Sequence, residues 1–432
     1  MNATNRDPNR PARGALRRAF AIASGAALLT CLASCDHHDN FFVVSGPGPG
    51  LGPGYVPNSI AVADVNGDGT PDLLVATTVD QGGGNNPGVA AVYLGIPSAL
   101  GTYQPGATYP ISGTDPSGIA VLDLSGSGSG AKDLVISNFG SGNASIFLHD
   151  PANPGQYLAA TTLATGGQPN QVVSADINGD GKPDLVFADL SASGNAVVML
   201  QSASTPGQFA APLNLSTGGF TPSVAVGDLN GDGLPDVVAA TYDANGNNGN
   251  VTLFFQNGSS PGTFQAAVSF PAGAQPQAVR IADVNGDGLP DLIVANRGPG
   301  NDGTGSPGVS VLLQDAAHPG SFLAAATYST PWGAVDVAVG DLDGDGKSDL
   351  VVASLGPGPT GAVSVLLQNA SSPGTFGAAN SYAGYGQPLS VAIADLNGDG
   401  HPDIAVADAN SATVMLQSAT SPGTFANAVP VN

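Results

Sequence analysis

Six short stretches of this 432-residue chain place oxygen-bearing side chains on alternate residues. Numbered from the first aspartate, positions 1, 3, 5, 7 and 9 are Asp64, Asn66, Asp68, Thr70 and Asp72 in the first copy. The next two read Asp176, Asn178, Asp180, Lys182, Asp184 and Asp228, Asn230, Asp232, Leu234, Asp236. Then come Asp283, Asn285, Asp287, Leu289, Asp291 and Asp341, Asp343, Asp345, Lys347, Asp349. The last is Asp395, Asn397, Asp399, His401, Asp403. A glycine at position 6 lets the backbone turn sharply. Alternate carboxylates and carboxamides around such a turn are the donor set of a hard cation wrapped by one loop. Position 7 varies freely, which suits a residue that offers only its backbone carbonyl.

The spacing is not that of an EF-hand, which needs a bidentate glutamate at position 12 and flanking helices. The sequence has no glutamate, and position 12 is Val75, Phe187, Ala239, Val294, Val352 or Val406. These are strand residues, so the loop is expected to close on the aspartate at position 9. A seventh, altered copy runs from Asp123 to Asp133, two residues longer, with Ser125 and Ser127 where Asn and Asp stand elsewhere. Two lost donors weaken it as a cation site. There Lys132 is either an ammonium standing in for the cation or a solvent-facing lysine.

The elements that hold these loops follow from their interval. Successive first aspartates lie 59, 53, 52, 55, 58 and 54 residues apart, a period that marks a repeat architecture. Each unit contains four short β runs. In the third they are 171–175, 184–188, 196–200 and 208–213, with a Pro206-Gly207 turn before the last. That turn recurs at Pro154, Pro261, Pro319, Pro373 and Pro422, each followed by glycine as a type II turn requires. Four antiparallel strands repeated seven times give an all-β, seven-bladed β-propeller. The second runs are apolar on successive residues, as in sheets covered on both faces. A parallel calcium β-roll is excluded by its repeat of about nine residues. The last unit ends with its own fourth strand near Phe425, so closure needs no strand from the N-terminus.

The composition agrees: 62 glycines and 35 prolines punctuate apolar runs, and only 10% of residues are charged. The net charge of −23 excludes a nucleic-acid partner, which wants a basic stripe. Of the 33 aspartates, 21 lie in the seven loops, so the acidity belongs to the candidate cation sites. Residues 1–35 read as an export signal, with five arginines before a short apolar core at 19–30. The signal ends in Leu32-Ala33-Ser34-Cys35, which resembles the lipobox of bacterial lipoproteins and implies lipidation at Cys35 and a membrane-anchored, extracytoplasmic protein. Residues 36–56 form a tether rich in glycine and proline. Residues 57–432 form the propeller.

The Asp-x-Asn-x-Asp-Gly-x-x-Asp loops, with the approach seen from Gly273-Ala274-Gln275-Pro276 to Asp283, resemble the FG-GAP or VCBS repeat proteins, relatives of the integrin α-subunit propeller. The resemblance covers roughly 57–432. It implies calcium, about six ions, in the first-to-second strand loops of six blades, with the second blade a departure.

Two function classes follow. One is a binding or adhesion module whose protein or glycan ligand sits on the face opposite the metal loops. That face carries the irregular content, at 80–87, 242–250 and 297–307, and the candidate contacts Phe220, Tyr242, Arg297, Trp332 and Tyr385. Trp332, the sole tryptophan, is alternatively a plug over the channel. The other class is a polysaccharide lyase or hydrolase. No HExxH helix or paired glutamates are present, and His149 and His318 lie in separate blades. The sequence therefore reads as a binding scaffold and not as an enzyme.

Overall fold

The computed structural model describes residues 55–430 apart from 70–71, 80–85, 96–102, 127–131, 247, 300–306, 358–360, 386–387, 395–400, 409–411, 419 and 426–428. Every regular element among the described residues is a β-strand. Twenty-eight strands form seven antiparallel sheets, each from four consecutive strands paired in order. We number these blades 1 to 7, spanning 55–114, 116–164, 169–216, 220–273, 276–329, 333–385 and 388–430. The first strand begins at Tyr55, two residues before the boundary expected from the sequence. Cys35 and the rest of the N-terminal segments lie outside the described residues.

Blade 5 shows how residue types choose the element. Its second strand, Asp291–Asn296, is buried at all six positions, because both faces are covered. Its fourth strand, Ala326–Ser329, is short and mostly exposed, as befits an outer edge. The inner first strands of successive blades lie against one another from blade 1 through blade 7. The core is accordingly divided. Six apolar clusters each combine residues from two neighbouring blades, for example Ile293 and Val311 of blade 5 with Val337 and Val352 of blade 6. No blade buries its faces alone, so each stabilises the next.

Polar bonds between inner strands add register to this packing. Val224 N–H donates to Gln171 Oε1 at 3.1 Å, and Val391 N–H donates to Asp336 Oδ2 at 3.2 Å. The other Asp336 oxygen meets the Arg280 guanidinium of blade 5 at 2.6 Å.

The Pro-Gly turns are as expected, with φ of 70 to 80° at Gly207 and Gly262. The fourth strands begin later than the sequence suggests. In blade 3 the fourth strand is Leu213–Ser216, and Phe209 forms a single bridge with Gln201 before it. The same bridge recurs at Phe264, Phe322, Phe376 and Phe425, and at Tyr157 in blade 2. These rings turn into the interblade clusters. The ladder resumes only after that detour. Blade 7 closes its sheet with its own Val429–Pro430.

Metal loops and the opposite face

Each strand 1 ends on the residue before position 1 of an aspartate loop, and each strand 2 starts at the loop's closing aspartate, position 9 in all blades but the second. Blade 5 is representative. Asp283 Oδ1 accepts the Gly286 N–H at 2.7 Å, and Oδ2 accepts the Gly288 N–H at 2.8 Å. Asn285 Oδ1 accepts the Asp287 N–H at 2.8 Å, and Asp287 Oδ1 accepts the Leu289 N–H at 2.9 Å. These bonds wind positions 1 to 7 into one tight turn, with Gly286 and Gly288 at φ 77 and 84°. Blades 3, 4 and 6 repeat it. In blade 1 the described part does the same, and Thr70 lies outside it. Asp395, Asn397 and Asp399 of blade 7 also lie outside the described residues.

The donors are exposed or half-buried oxygens of carboxylates and carboxamides, a set that suits a hard divalent cation. In blade 6, where position 3 is an aspartate, oxygens of Asp341, Asp343 and Asp345 lie within 4.8 Å of one another. Burial raises the Asp343 pKa, and the two neighbouring carboxylates act in the same direction. A cation relieves that repulsion. The position-7 lysines differ in where they point. Lys182 Nζ donates to Ala203 O at 2.7 Å, and Lys347 Nζ to Asp345 Oδ2 at 2.7 Å.

Position 9 is different in kind. Asp72, Asp184, Asp236, Asp291, Asp349 and Asp403 are all buried. In blade 5, Asp291 Oδ2 accepts the N–H of Val284, position 2 of its own loop, at 3.0 Å. Its Oδ1 accepts the Gln314 N–H, just after the third strand, at 2.8 Å. Asp184, Asp236 and Asp349 are bound the same way, by Ile177 and Gln201, Leu229 and Gln256, and Leu342 and Gln368. Burial pushes the carboxyls of Asp184, Asp236, Asp291 and Asp349 up to about 6 against the pull of these N–H donors. Each oxygen keeps a second lone pair, so position 9 can clamp the loop and still face a cation. Sequence reasoning missed the clamp's other half. Its trace is a glutamine five residues before the Pro-Gly turns of blades 3 to 7, at Gln201, Gln256, Gln314, Gln368 and Gln417.

Blade 2 departs from the pattern, as the sequence indicates. His149 stands where blades 3 to 7 have glutamine, and its N–H and Nδ1 both lie 2.8 Å from Asp133 Oδ1. The group beside that buried carboxylate is thus the His149 ring. Lys132 makes no ion pair among the described residues. His318 lies beside Asp315 on an exposed turn.

On the opposite face, the candidate contacts fall on three consecutive blades, at or beside the strand ends away from the aspartate loops. Phe220 pairs with Tyr242 across strands 1 and 2 of blade 4, with rings stacked at 5.4 Å and 25°. Burial raises the Tyr242 hydroxyl pKa, while the Arg297 charge and a Gln277 hydrogen bond oppose the rise. Arg297 follows strand 2 of blade 5 and donates its N–H to Gln275 O at 3.0 Å. Gln275 itself has φ of 50°, rare for a residue other than glycine. Half-buried Trp332 precedes Gly333, whose backbone packs so closely that a Cβ there would lie 2.8 Å from Arg297 Cγ. Tyr385 ends strand 4 of blade 6 on this face, and its side chain lies outside the described set.

Models of the FG-GAP-like repeat match residues 127–187, 176–239, 228–294, 283–352 and 341–406, and an FG-GAP repeat matches 56–93. The chain belongs to the FG-GAP repeat family. Solved propellers share its fold. A candidate 6-phosphogluconolactonase from Bacteroides uniformis is 15% identical, with TM-score 0.51, 82% of this chain and 95% of that one covered. The periplasmic gluconolactonase of Pseudomonas aeruginosa is 18% identical, with TM-score 0.50 and coverage of 78% and 85%. A protein from Lactobacillus plantarum is 15% identical, with TM-score 0.50 and coverage of 82% and 89%. At such identities the likeness concerns the fold. No curated protein matches the sequence.

Proposed function

We propose that this FG-GAP protein is a calcium-stabilised binding or adhesion scaffold, held at a membrane outside the cytoplasm, whose protein or glycan ligand docks opposite the metal loops. The observation that supports it is the asymmetry of the two faces. One repeats the same oxygen-lined loop from blade to blade. The other breaks the repeat with a stacked Phe220–Tyr242 pair, Arg297 and Trp332 on adjacent blades. Half-exposed aromatic rings beside a guanidinium are the usual anchors of protein and sugar recognition.

Calcium fits the loops because positions 1, 3 and 5 offer only oxygen, and position 9 adds a buried carboxylate that gains from a nearby positive charge. Asp64, Asn66, Asp68 and Asp72 would hold it in blade 1, and the corresponding residues in blades 3 to 7. Bound there, calcium supplies charge neutralisation and a tie between strands 1 and 2. Extracellular calcium modules work at about 10⁻⁴–10⁻³ M, a range that suits an exported protein. The lipobox-like end at Cys35 supports anchoring.

The binding reading is tested by glycan and envelope-protein arrays on the native chain and on Trp332→Ala. Binding lost in the variant, with its calcium-dependent melting unchanged, is the expected result. An array without any ligand, or turnover of a lactone or polysaccharide by the native chain, would overturn it. Cys35→Ser should release the protein from the membrane fraction.

A further inference from the structure

Three glutamines reach across blade junctions into the loop of the blade before. Gln314 of blade 5 donates from Nε2 to Leu229 O of the blade-4 loop at 2.8 Å and to Pro290 O of its own loop at 3.0 Å. Gln368 of blade 6 does the same to Val284 O of blade 5 at 2.6 Å and to Ser348 O at 2.8 Å. Gln417 of blade 7 reaches Leu342 O of blade 6 at 2.6 Å and Pro402 O at 2.7 Å. All three are buried.

Leu229, Val284 and Leu342 occupy position 2 of their loops, and their N–H groups are the ones held by the position-9 carboxylates. Position 2 is therefore gripped at its N–H by its own blade and at its carbonyl by the next. Position 3 is also covered by the next blade. A Cβ on the turn glycine Gly374 would lie 3.0 Å from Asn285 Cβ, one on Gly320 3.3 Å from Asn230 Cβ, and one on Gly423 3.2 Å from Asp343 Cβ. The Gly374 N–H in turn donates to Gln368 Oε1 at 3.2 Å. One amide thus links a turn, its own loop and the preceding loop. At the two junctions before these, Nε2 of Gln201 and of Gln256 reaches only its own loop among the described residues.

We propose that Gln314, Gln368 and Gln417 are positioning residues for the cation loops of the preceding blades, so that ion binding in blades 4, 5 and 6 is coupled to the junction with the following blade. The proposal rests on the calcium reading above. The glutamine fixes the peptide between positions 2 and 3, and with it the direction of the position-3 donor. Coupling is reciprocal: an ion in one loop tightens the next blade's hold, and loosening that hold weakens the ion.

Hydrogen exchange of loop peptides, read by mass spectrometry across a calcium titration of the full chain, tests this. In Gln368→Ala, the midpoint for protection of 283–291 should move to about fivefold higher calcium or more, with 176–184 unmoved. Should that variant not fold, Gln368→His takes its place, since histidine is native at this position in blade 2. A midpoint for 283–291 that stays put, whether or not 341–349 shifts, overturns the coupling and leaves the calcium reading intact. A native chain whose loops gain no protection from calcium overturns both.

Discussion

Blades 2 and 5 are built from the same four strands, yet only blade 5 has a full set of cation donors. Blade 5 offers Asp283, Asn285 and Asp287, whereas blade 2 has Asp123 and Ser125. Both keep the buried aspartate at the start of strand 2. Asp291 receives the N–H groups of Val284 and Gln314, and Asp133 those of Ser125 and His149. The difference separates two jobs that the motif combines. Positions 1, 3 and 5 offer the oxygens a cation would need, while position 9 clamps strand 1, strand 2 and the end of strand 3. Blade 2 has lost the first and kept the second, with an imidazole beside the carboxylate.

The widest test of that separation is removal of calcium. At a hundredfold excess over its dissociation constant an ion adds about 2.7 kcal/mol per site. Chelation should therefore lower the melting temperature steeply and raise exchange in 283–291 while leaving 123–133 as it was. An unchanged melting curve would mean that blade 5 is no more a metal site than blade 2.

Point substitutions sharpen the contrast. Asp287→Ala should cost about 2–3 kcal/mol with calcium and little in chelator, because its side chain is exposed. Asp133→Ala should cost about 1–3 kcal/mol for each N–H left unpaired, equally with and without calcium. Denaturant unfolding of the two variants in both conditions checks this, and a calcium-dependent cost at Asp133 would erase the distinction.

A smaller effect is expected from pH in the chelated protein. Asp184, Asp236, Asp291 and Asp349 have carboxyls raised from 3.8 to about 6. Between those values the folded chain binds more protons than the unfolded one, so their contribution to stability is present at low pH and is lost as pH rises through 6. Melting in chelator from pH 7 down to 4.5 should show a rise. Asp291→Asn should remove its share of that slope, and a slope unaltered by the substitution would contradict the burial argument.

Much of this molecule is legible in its residues. Six copies of one spacing, a period of 52 to 59 residues and the Pro-Gly turns define a sevenfold all-β repeat, because each signal is local and recurs. The division into oxygen-lined loops on one face and irregular aromatic content on the other follows from strand alternation alone. Three-dimensional packing decided the rest. The sequence shows a glutamine before five of the Pro-Gly turns but not that Gln368 crosses to Val284, a residue 84 positions earlier. It shows His149 near a turn but not that the ring faces Asp133. It marks position 9 as one more aspartate, and only burial between blades makes that carboxylate a clamp with a raised pKa. Spacing along a chain fixes what a loop can offer. What meets that loop depends on the neighbouring blade, whose residues lie far off in sequence and arrive only when the wheel is assembled.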